Sequence, residues 1–288
     1  MDFTELYCAI DDFIKKISST EQTKMTGKGK RRGFTPFLSL GEIMTIVVGY
    51  HQSSFKNFKS YFQHLHCYHQ KDFPKITSYN RFVELMPQSL LPLCFYLESK
   101  KGEVTGINFV DSTSLSVCKN IRISRNKVFK DIATRGKSSM GWFFGFKLHL
   151  VVNQFGELLA FHITKGNIND RVPVEKLCRN LWGKLFADKG YIDSKLFKKL
   201  WEKNIKLITG IRNNMKNRLV PMMDKILLRK RFIIETINDQ LKNISDIEHS
   251  RHRSPMNFMV NLIAGLVAYV HQERKPAIKM NNFPILQG

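Results

Sequence analysis

The stretch INFVDSTSLSV, which runs from Ile107 to Val117, alternates its side chains with a period of two residues. Its odd-numbered positions are mostly apolar, as in a β-strand with one face against a core. Asp111 falls on this apolar row. A buried carboxylate is costly unless it is paired or binds a metal ion. The stretch therefore predicts a core strand and a partner for its acid.

More strand-like stretches follow, interrupted by helical patterns. Turn-forming residues between Asn153 and Gly156 separate two alternating runs, which predicts an antiparallel meander. The order of strands and helices after it predicts an α/β domain with a mixed sheet. The predicted strands are 107–117, 144–152, 159–163, 184–188 and 205–211, and the predicted helices lie near 173–181, at 196–201 and from about 222 onward.

Residues 1–100 have a helical period instead. A basic, glycine-containing segment at Thr23–Pro36 predicts a loop that either contacts phosphates or serves as a linker. A short helix within Pro74–Pro87, capped by Thr77 or Ser78, could enter a DNA groove, although many helical bundles share this pattern. The closing helix is predicted to begin with Ser254 as its cap and to pack as part of a core, with a dimer contact as the second reading.

The composition points to a polyanionic partner. The 288 residues include 46 Lys and Arg against 24 Asp and Glu, which gives a formal net charge of +22. A single basic run is usually a solvated surface, but an excess spread along the whole chain favours a nucleic acid, with an acidic membrane surface as the weaker alternative.

Other classes of protein are disfavoured. The sequence contains no apolar stretch long enough to span a bilayer and no recognisable signal peptide, so we expect a cytoplasmic protein. The five cysteines are odd in number and widely spaced, which fits reduced thiols. His64, His66, Cys67 and His69 do not match a structural-zinc spacing, and we interpret them as surface or loop residues.

Three acids stand out on this basic chain: Asp111, Asp188 and Glu235. Each has an ordinary explanation when taken alone. Asp111 could cap a neighbour, Asp188 could be a strand-end residue before a turn, and Glu235 could pair with Arg231 on an exposed helix. Their combination in the order strand, strand, helix instead predicts a carboxylate site for divalent ions, which would also remove the repulsion between the acids and DNA.

The residues around these acids resemble a known family. The segments are Val110-Asp-Ser-Thr113, Gly141-Trp-Phe-Phe-Gly-Phe-Lys-Leu-His149, Ala187-Asp-Lys-Gly-Tyr191, and Arg231 with Glu235 and Lys242. Together they resemble the DDE transposases of bacterial insertion sequences, and among them the insertion sequence 982 family. The tyrosine that this signature has three residues before its arginine is Leu228 here.

The resemblance implies a fold and a domain organisation. It implies a ribonuclease-H-like mixed sheet flanked by helices, preceded by a small all-helical N-terminal domain. The expected boundaries are residues 1–100 for a helical DNA-binding region and 101–288 for the catalytic domain with its closing helix.

The resemblance also implies a reaction. Asp111, Asp188 and Glu235 would hold two Mg²⁺ ions, with Mn²⁺ able to substitute, for DNA cleavage and strand transfer. Asp111 would bridge both ions, and each of the other two acids would hold one.

The remaining expectations concern DNA. Arg231 and Lys242 are predicted to contact phosphates, and Lys189, Arg251 and Arg253 are further candidate contacts, although a solvated loop explains the last two equally well. The expected partners are the terminal inverted repeats of the element and the target DNA, bound by a homodimer or a larger assembly. A metal-dependent nuclease and a non-catalytic DNA-binding descendant are the alternative functions.

Overall fold

The computed structural model describes residues 3–17, 37–211, 215, 219–249 and 252–278. The chain divides into two compact units. One contains residues 1–100 and 240–272, and the other contains residues 101–239 and 273–288. The predicted basic loop at Thr23–Pro36 and the candidate DNA contact Arg251 lie outside the described residues.

The first unit is helical. Ser39 and Glu42 form a reciprocal capping box at the start of the second helix, and Ser78 caps the fourth helix, as one of the two predicted caps. The short helix predicted within Pro74–Pro87 is therefore confirmed. The helices of residues 1–100 are α1 (Thr4–Lys16), α2 (Leu40–Gln52), α3 (Phe58–Tyr68), α4 (Tyr79–Leu85) and α5 (Leu90–Ser99).

The closing helix, which spans Pro255–Val270, packs with these helices. Ser254 caps it and Pro255 occupies its first turn, as predicted. Its wide apolar band is buried mainly against α2 and α5, so this helix belongs to the helical unit, whereas the sequence placed it with residues 101–288. The assignment of the units as DNA-binding and catalytic stays a prediction.

The second unit is built on a six-stranded sheet. The strands are β1 (Ile107–Cys118), β2 (Thr134–Ser138), β3 (Gly141–Asn153), β4 (Leu158–Lys165), β5 (Gly183–Ala187) and β6 (Ile205–Thr209). Strands β4, β3 and β1 are antiparallel, and β1, β5 and β6 are parallel, so the sheet is mixed.

Both faces of this sheet are covered. Helices α6 (Val174–Leu177) and α7 (Ser194–Trp201) contribute buried apolar residues to a core on the face that carries Val110 and Leu185. On the other face, Phe109 and Phe186 are fully buried and stack with their ring centroids 5.3 Å apart. The expected mixed α/β sheet flanked by helices, with a helical N-terminal region before it, is confirmed.

One strand was not predicted. Strand β2 has the sequence TRGKS, which lacks an apolar alternation, and it pairs only with the first part of β3. Backbone hydrogen bonds to one neighbour are enough for such an edge strand, so its sequence carries little signal. Gly145 on β3 allows β3 to approach β1 closely, because a Cβ at this position would overlap the carbonyl oxygen of Leu115 on β1.

The long helix predicted from about Met222 is two helices. Helix α8 spans Met222–Arg229 and α9 spans Phe232–Asn243, with a tight turn between them. The closing helix is α10. No helix among the described residues has the length and apolar character needed to span a membrane.

Candidate active site

Asp111 and Asp188 lie on the same face of the sheet at neighbouring parallel strands. Strands β1 and β5 pair in register, with Phe109 opposite Phe186. Two residues further along each strand are Asp111 and Asp188, and residues two apart in a strand project to the same face. Asp188 keeps an extended backbone, with φ −72° and ψ 165°, so it continues the direction of β5. The two carboxylates therefore leave the sheet side by side.

The two acids differ in their exposure to solvent. Asp111 lies within a long strand and is partly buried, whereas the side chain of Asp188 is 58% exposed just beyond the end of β5. Strand β1 continues for seven residues past Asp111, which accounts for its burial. Asp111 thus lies within its strand, and Asp188 lies just past the end of its strand.

Glu235 is linked to Asp188 through Arg231. The Arg231 guanidinium bonds the Glu235 carboxylate at 2.6 Å, and its Nη2 lies 4.0 Å from Asp188 Oδ1. Arg231 is in the turn between α8 and α9, and Glu235 follows one helical turn later. The structure therefore brings two of the predicted acids to one arginine.

The third acid is electrostatically coupled to the same group. Burial raises the pKa of Asp111 to about 6, and the negative charges of Glu235 and Asp188 contribute to this rise. The Ser112 amide and the Arg231 charge act in the opposite direction. Like charges raise a carboxyl pKa only when they are near, so Asp111, Asp188 and Glu235 share one electrostatic site.

Asn238 also belongs to this site. Its Nδ2 donates a hydrogen bond to Asp111 Oδ2 at 3.2 Å, and its side chain is only 7% exposed. Its Oδ1 is buried and has no hydrogen-bond partner among the described residues. Asn238 follows Glu235 by three positions, so both project from the same side of α9. Asn238 is not among the site residues predicted from the sequence, because an asparagine on a helix carries no signal for such a role.

The side chains suit a divalent ion in their chemistry. They offer carboxylate oxygens and one buried amide oxygen without a partner, which are donors that Mg²⁺ and Mn²⁺ prefer. As placed here, however, no three His, Cys, Asp or Glu side chains of the described residues are grouped closely enough to hold an ion. Arg231 instead supplies the positive charge beside Asp188 and Glu235.

The other candidate DNA contacts are spread over both units. Lys189 is exposed directly after Asp188, and its methylenes lie beside Gly210. Lys242 bonds Glu248 at 2.8 Å within the helical unit, where Arg253 is exposed just before α10. Only Lys189 and Arg231 are thus in the same unit as the three acids.

A fourth acid fixes the helix that leads into this site. Asp224 on α8 is 1% exposed and bonds Lys184 of β5 at 2.6 Å, while Lys206 of β6 lies 3.8 Å away. Lys184 and Lys206 are paired neighbours in the sheet. This anchor holds α8 across β5 and β6, and Asp188 directly follows β5. Its only signal in the sequence is an acid within a basic stretch.

Comparisons with known proteins identify the family. No curated protein matches the sequence. Among solved structures, a chain in the cryo-electron microscopy structure of a simian T-cell lymphotropic virus intasome in complex with PP2A regulatory subunit B56 gamma matches with 13% identity, a TM-score of 0.26 and 70% of each chain covered. The family model described as a transposase DDE domain matches residues 101–255, which is more than half of the chain. The chain therefore belongs to the DDE-domain transposases, as its resemblance to them implied.

Proposed function

We propose that this protein is the transposase of a bacterial insertion sequence similar to insertion sequence 982. It binds the ends of its element and catalyses Mg²⁺-dependent DNA cleavage and strand transfer. The main support is the position of Asp111 and Asp188, each two residues beyond the in-register pair of Phe109 and Phe186. Glu235 is linked to Asp188 through Arg231. Membership of the DDE transposases supports the same chemistry.

The three acids are the proposed metal ligands. DDE transposase domains generally use divalent metal ions. Asp111, Asp188 and Glu235 would hold two Mg²⁺, or Mn²⁺ in its place, and two such ions activate an attacking oxygen and stabilise the leaving oxygen of a phosphodiester. Asn238 orients the Asp111 carboxylate through its amide. Arg231 balances the charge of Asp188 and Glu235 and is available for a DNA phosphate once other cations neutralise those acids.

The basic residues of the chain are proposed to bind the DNA on which this site acts. A net charge of +22 favours association with DNA over its whole surface. Residues 1–100 would bind the terminal repeats, and the catalytic domain would act on the ends. Lys189, Lys242, Arg251 and Arg253 would contact phosphates. The active form would be a homodimer or a larger assembly on DNA, in the cytoplasm and at the nucleoid.

The proposal is tested by conservative removal of each acid. Asp111→Asn, Asp188→Asn and Glu235→Gln should each lower cleavage of a duplex carrying the terminal repeat by at least about a thousandfold in Mg²⁺, because a ligand to the ions is lost. DNA binding should persist, since each variant removes negative charge. Glu202→Gln, at an exposed position of the same unit, is the matched control.

The products distinguish this function from its alternatives. Strand-transfer joints between element ends and target DNA are expected for a transposase. Cleavage without joints would indicate a metal-dependent nuclease, and binding without cleavage would indicate a DNA-binding descendant. Full strand transfer by Asp111→Asn would contradict the assignment of the acids.

A further inference from the structure

A hairpin at one edge of the sheet carries large apolar side chains in solvent. It consists of β2, β3 and the turn between them. Met140 at its tip is 95% exposed and Trp142 beside it is 62% exposed. Ile121, in the short 3₁₀ helix Asn120–Arg125 that follows β1, is 86% exposed. Exposed apolar residues are common singly, but several on two adjoining segments indicate a contact surface.

The hairpin holds these side chains in place. Lys137 and Trp142 are directly opposite in the ladder, and Lys137 Nζ lies 6.0 Å from the centre of the Trp142 ring. Asn120 donates a hydrogen bond to the Trp142 carbonyl at 2.7 Å, which ties the 3₁₀ helix to the hairpin. Gly141 closes the turn with φ +109°, a conformation that suits glycine. The exposed tryptophan is therefore presented by an ordered backbone.

The surroundings of this hairpin are strongly basic. Between residues 119 and 142 the only acid is Asp131, and every base is exposed. The seven bases are Lys119, Arg122, Arg125, Lys127, Lys130, Arg135 and Lys137. Such a surface repels a second copy of this chain, whose own net charge is +22, and attracts a polyanion. The combination of exposed bases and an aromatic ring favours DNA over a protein partner.

The hairpin lies away from the acids, along the same sheet. Cys118 at the end of β1 pairs with Phe144 of β3, two residues from Trp142. At about 3.3 Å per residue, seven residues separate Asp111 from Cys118 by roughly 23 Å. DNA that runs parallel to β1 would cover this distance in about seven base pairs at 3.4 Å each. One duplex could thus contact both regions.

We propose that the β2–β3 hairpin, together with the 3₁₀ helix Asn120–Arg125, is a duplex-DNA clamp that inserts Met140 and Trp142 into a groove of the element end. This proposal rests on the proposed function, because it takes the DNA to be the substrate of the three acids. A two-stranded ribbon fits the major groove, where apolar side chains contact thymine methyl groups. Arg122, Arg125 and Lys137 contact the phosphates beside it.

The experiment measures DNA binding in EDTA, without any cleavage. Fluorescence anisotropy gives the affinity of the full-length protein for a duplex with the terminal repeat, and hydroxyl-radical footprinting maps the protected sugars. The variants are Trp142→Ala and the double substitution Arg122→Gln with Lys137→Gln. Trp201→Ala is the matched control, since Trp201 is 60% exposed on α7 and away from the hairpin. Circular dichroism and thermal melting verify that each variant folds.

The two variants should weaken DNA binding in different ways. Trp142→Ala should weaken DNA binding about tenfold and leave the salt slope unchanged. It should also lose the footprint about seven base pairs from the position at which the protein cuts in Mg²⁺. The basic double variant should lower the slope of log K against log salt by about one to two, because each lost phosphate contact removes about 0.9. Trp201→Ala should bind like the unsubstituted protein.

Other outcomes overturn the proposal. An unchanged footprint and affinity for Trp142→Ala, or an effect equal to that of Trp201→Ala, would show that the hairpin does not contact DNA. If the unsubstituted protein cuts the duplex while the hairpin variants bind it normally, the clamp fails and the proposed function stands. If the unsubstituted protein binds but never cuts in Mg²⁺, the proposed function fails, and the footprint still decides whether the hairpin is a DNA contact. Absence of DNA binding by the unsubstituted protein overturns both.

Discussion

The side-chain amide of Asn238 donates a hydrogen bond to Asp111 across 3.2 Å, from a helix to the centre of the sheet. A carboxylate on a strand is usually free to rotate about its last torsion angle, and this bond restricts it. The Asn238 Oδ1 beside it is buried and unpaired within the described part of the chain, although a buried acceptor normally has a partner. Asn238 therefore has one bond to the candidate ligand and one buried acceptor oxygen that no described residue contacts through a hydrogen bond.

Replacement of Asn238 should impair the proposed reaction without removing a metal ligand. Asn238→Ala is expected to lower the cleavage rate by about 10- to 100-fold, which is typical of losing a residue that orients a ligand. It should also raise the Mg²⁺ concentration needed for half-maximal cleavage. A Mg²⁺ titration of the initial rate checks both effects.

Asn243→Ala provides the control for this substitution, because Asn243 is exposed at the end of the same helix. Thermal shifts on addition of Mn²⁺ give a measurement that does not depend on catalysis. A normal Mn²⁺ shift and a normal Mg²⁺ requirement in Asn238→Ala would mean that the bond to Asp111 has no functional part.

Arg231 should matter for DNA affinity as well as for the acids. Arg231→Gln removes the bonds to Glu235 and the nearby charge at Asp188. If Arg231 also contacts a phosphate, the variant should bind DNA more weakly and its salt slope should fall by about one. Binding measured between 50 and 300 mM salt tests this. Arg229→Gln, at an exposed position on α8, is the comparison, and equal slopes for both variants would exclude the phosphate contact.

Five of the six strands could be predicted from the sequence, because their apolar residues follow a simple pattern. The stretch around Asp111 is β1, and Asp188, the acid that ends the predicted strand 184–188, is the residue that follows β5. Strand β2 was missed because it has one neighbour and polar side chains. The break before Arg231 was missed because residues 222–243 contain no glycine or proline. The helical pattern of the sequence therefore continues through residues 230 and 231, where the structure has a turn.

The site was predictable only as a set of residues. Acids at unusual positions suggested Asp111, Asp188 and Glu235, but spacing along a chain cannot give the register between β1 and β5. That register is what places Asp111 beside Asp188. The roles of Asn238 and Arg231 depend on the direction in which α9 crosses the sheet, and an Asn on a polar helix stripe looks the same whether or not it meets an acid.

Asp224 should be a stability residue. Its carboxylate is almost fully buried and bonds Lys184, which is itself partly exposed. Asp224→Ala leaves the lysine without its partner and is expected to lower the free energy of unfolding by about 2–3 kcal/mol, somewhat less than for a fully buried pair. Urea unfolding followed by circular dichroism measures this loss.

The double substitution Asp224→Leu with Lys184→Met is the informative control for this pair. Replacing a buried ion pair with apolar side chains of similar size is often neutral. It should therefore be more stable than Asp224→Ala. If Asp224→Ala alone is as stable as the unsubstituted protein, the ion pair does not anchor α8.

His51 should make the helical unit sensitive to acid. Its ring is buried, its Nδ1 bonds the backbone carbonyl of Ser245, and burial together with the charge of His249 lowers its pKa to about 4. An unfolded histidine has a pKa near 6.5, so the unfolded chain binds a proton that the folded protein excludes. The contribution of His51 to stability is full above pH 6.5 and falls as the pH drops, by roughly 3 kcal/mol at pH 4.

His51→Gln keeps a donor for Ser245 and cannot titrate, so its unfolding free energy should fall less steeply between pH 6.5 and pH 4. His66→Gln, at an exposed position on α3, should keep the slope of the unsubstituted protein. Urea unfolding at several pH values decides the point, and equal slopes for His51→Gln and His66→Gln would assign the acid sensitivity to other groups.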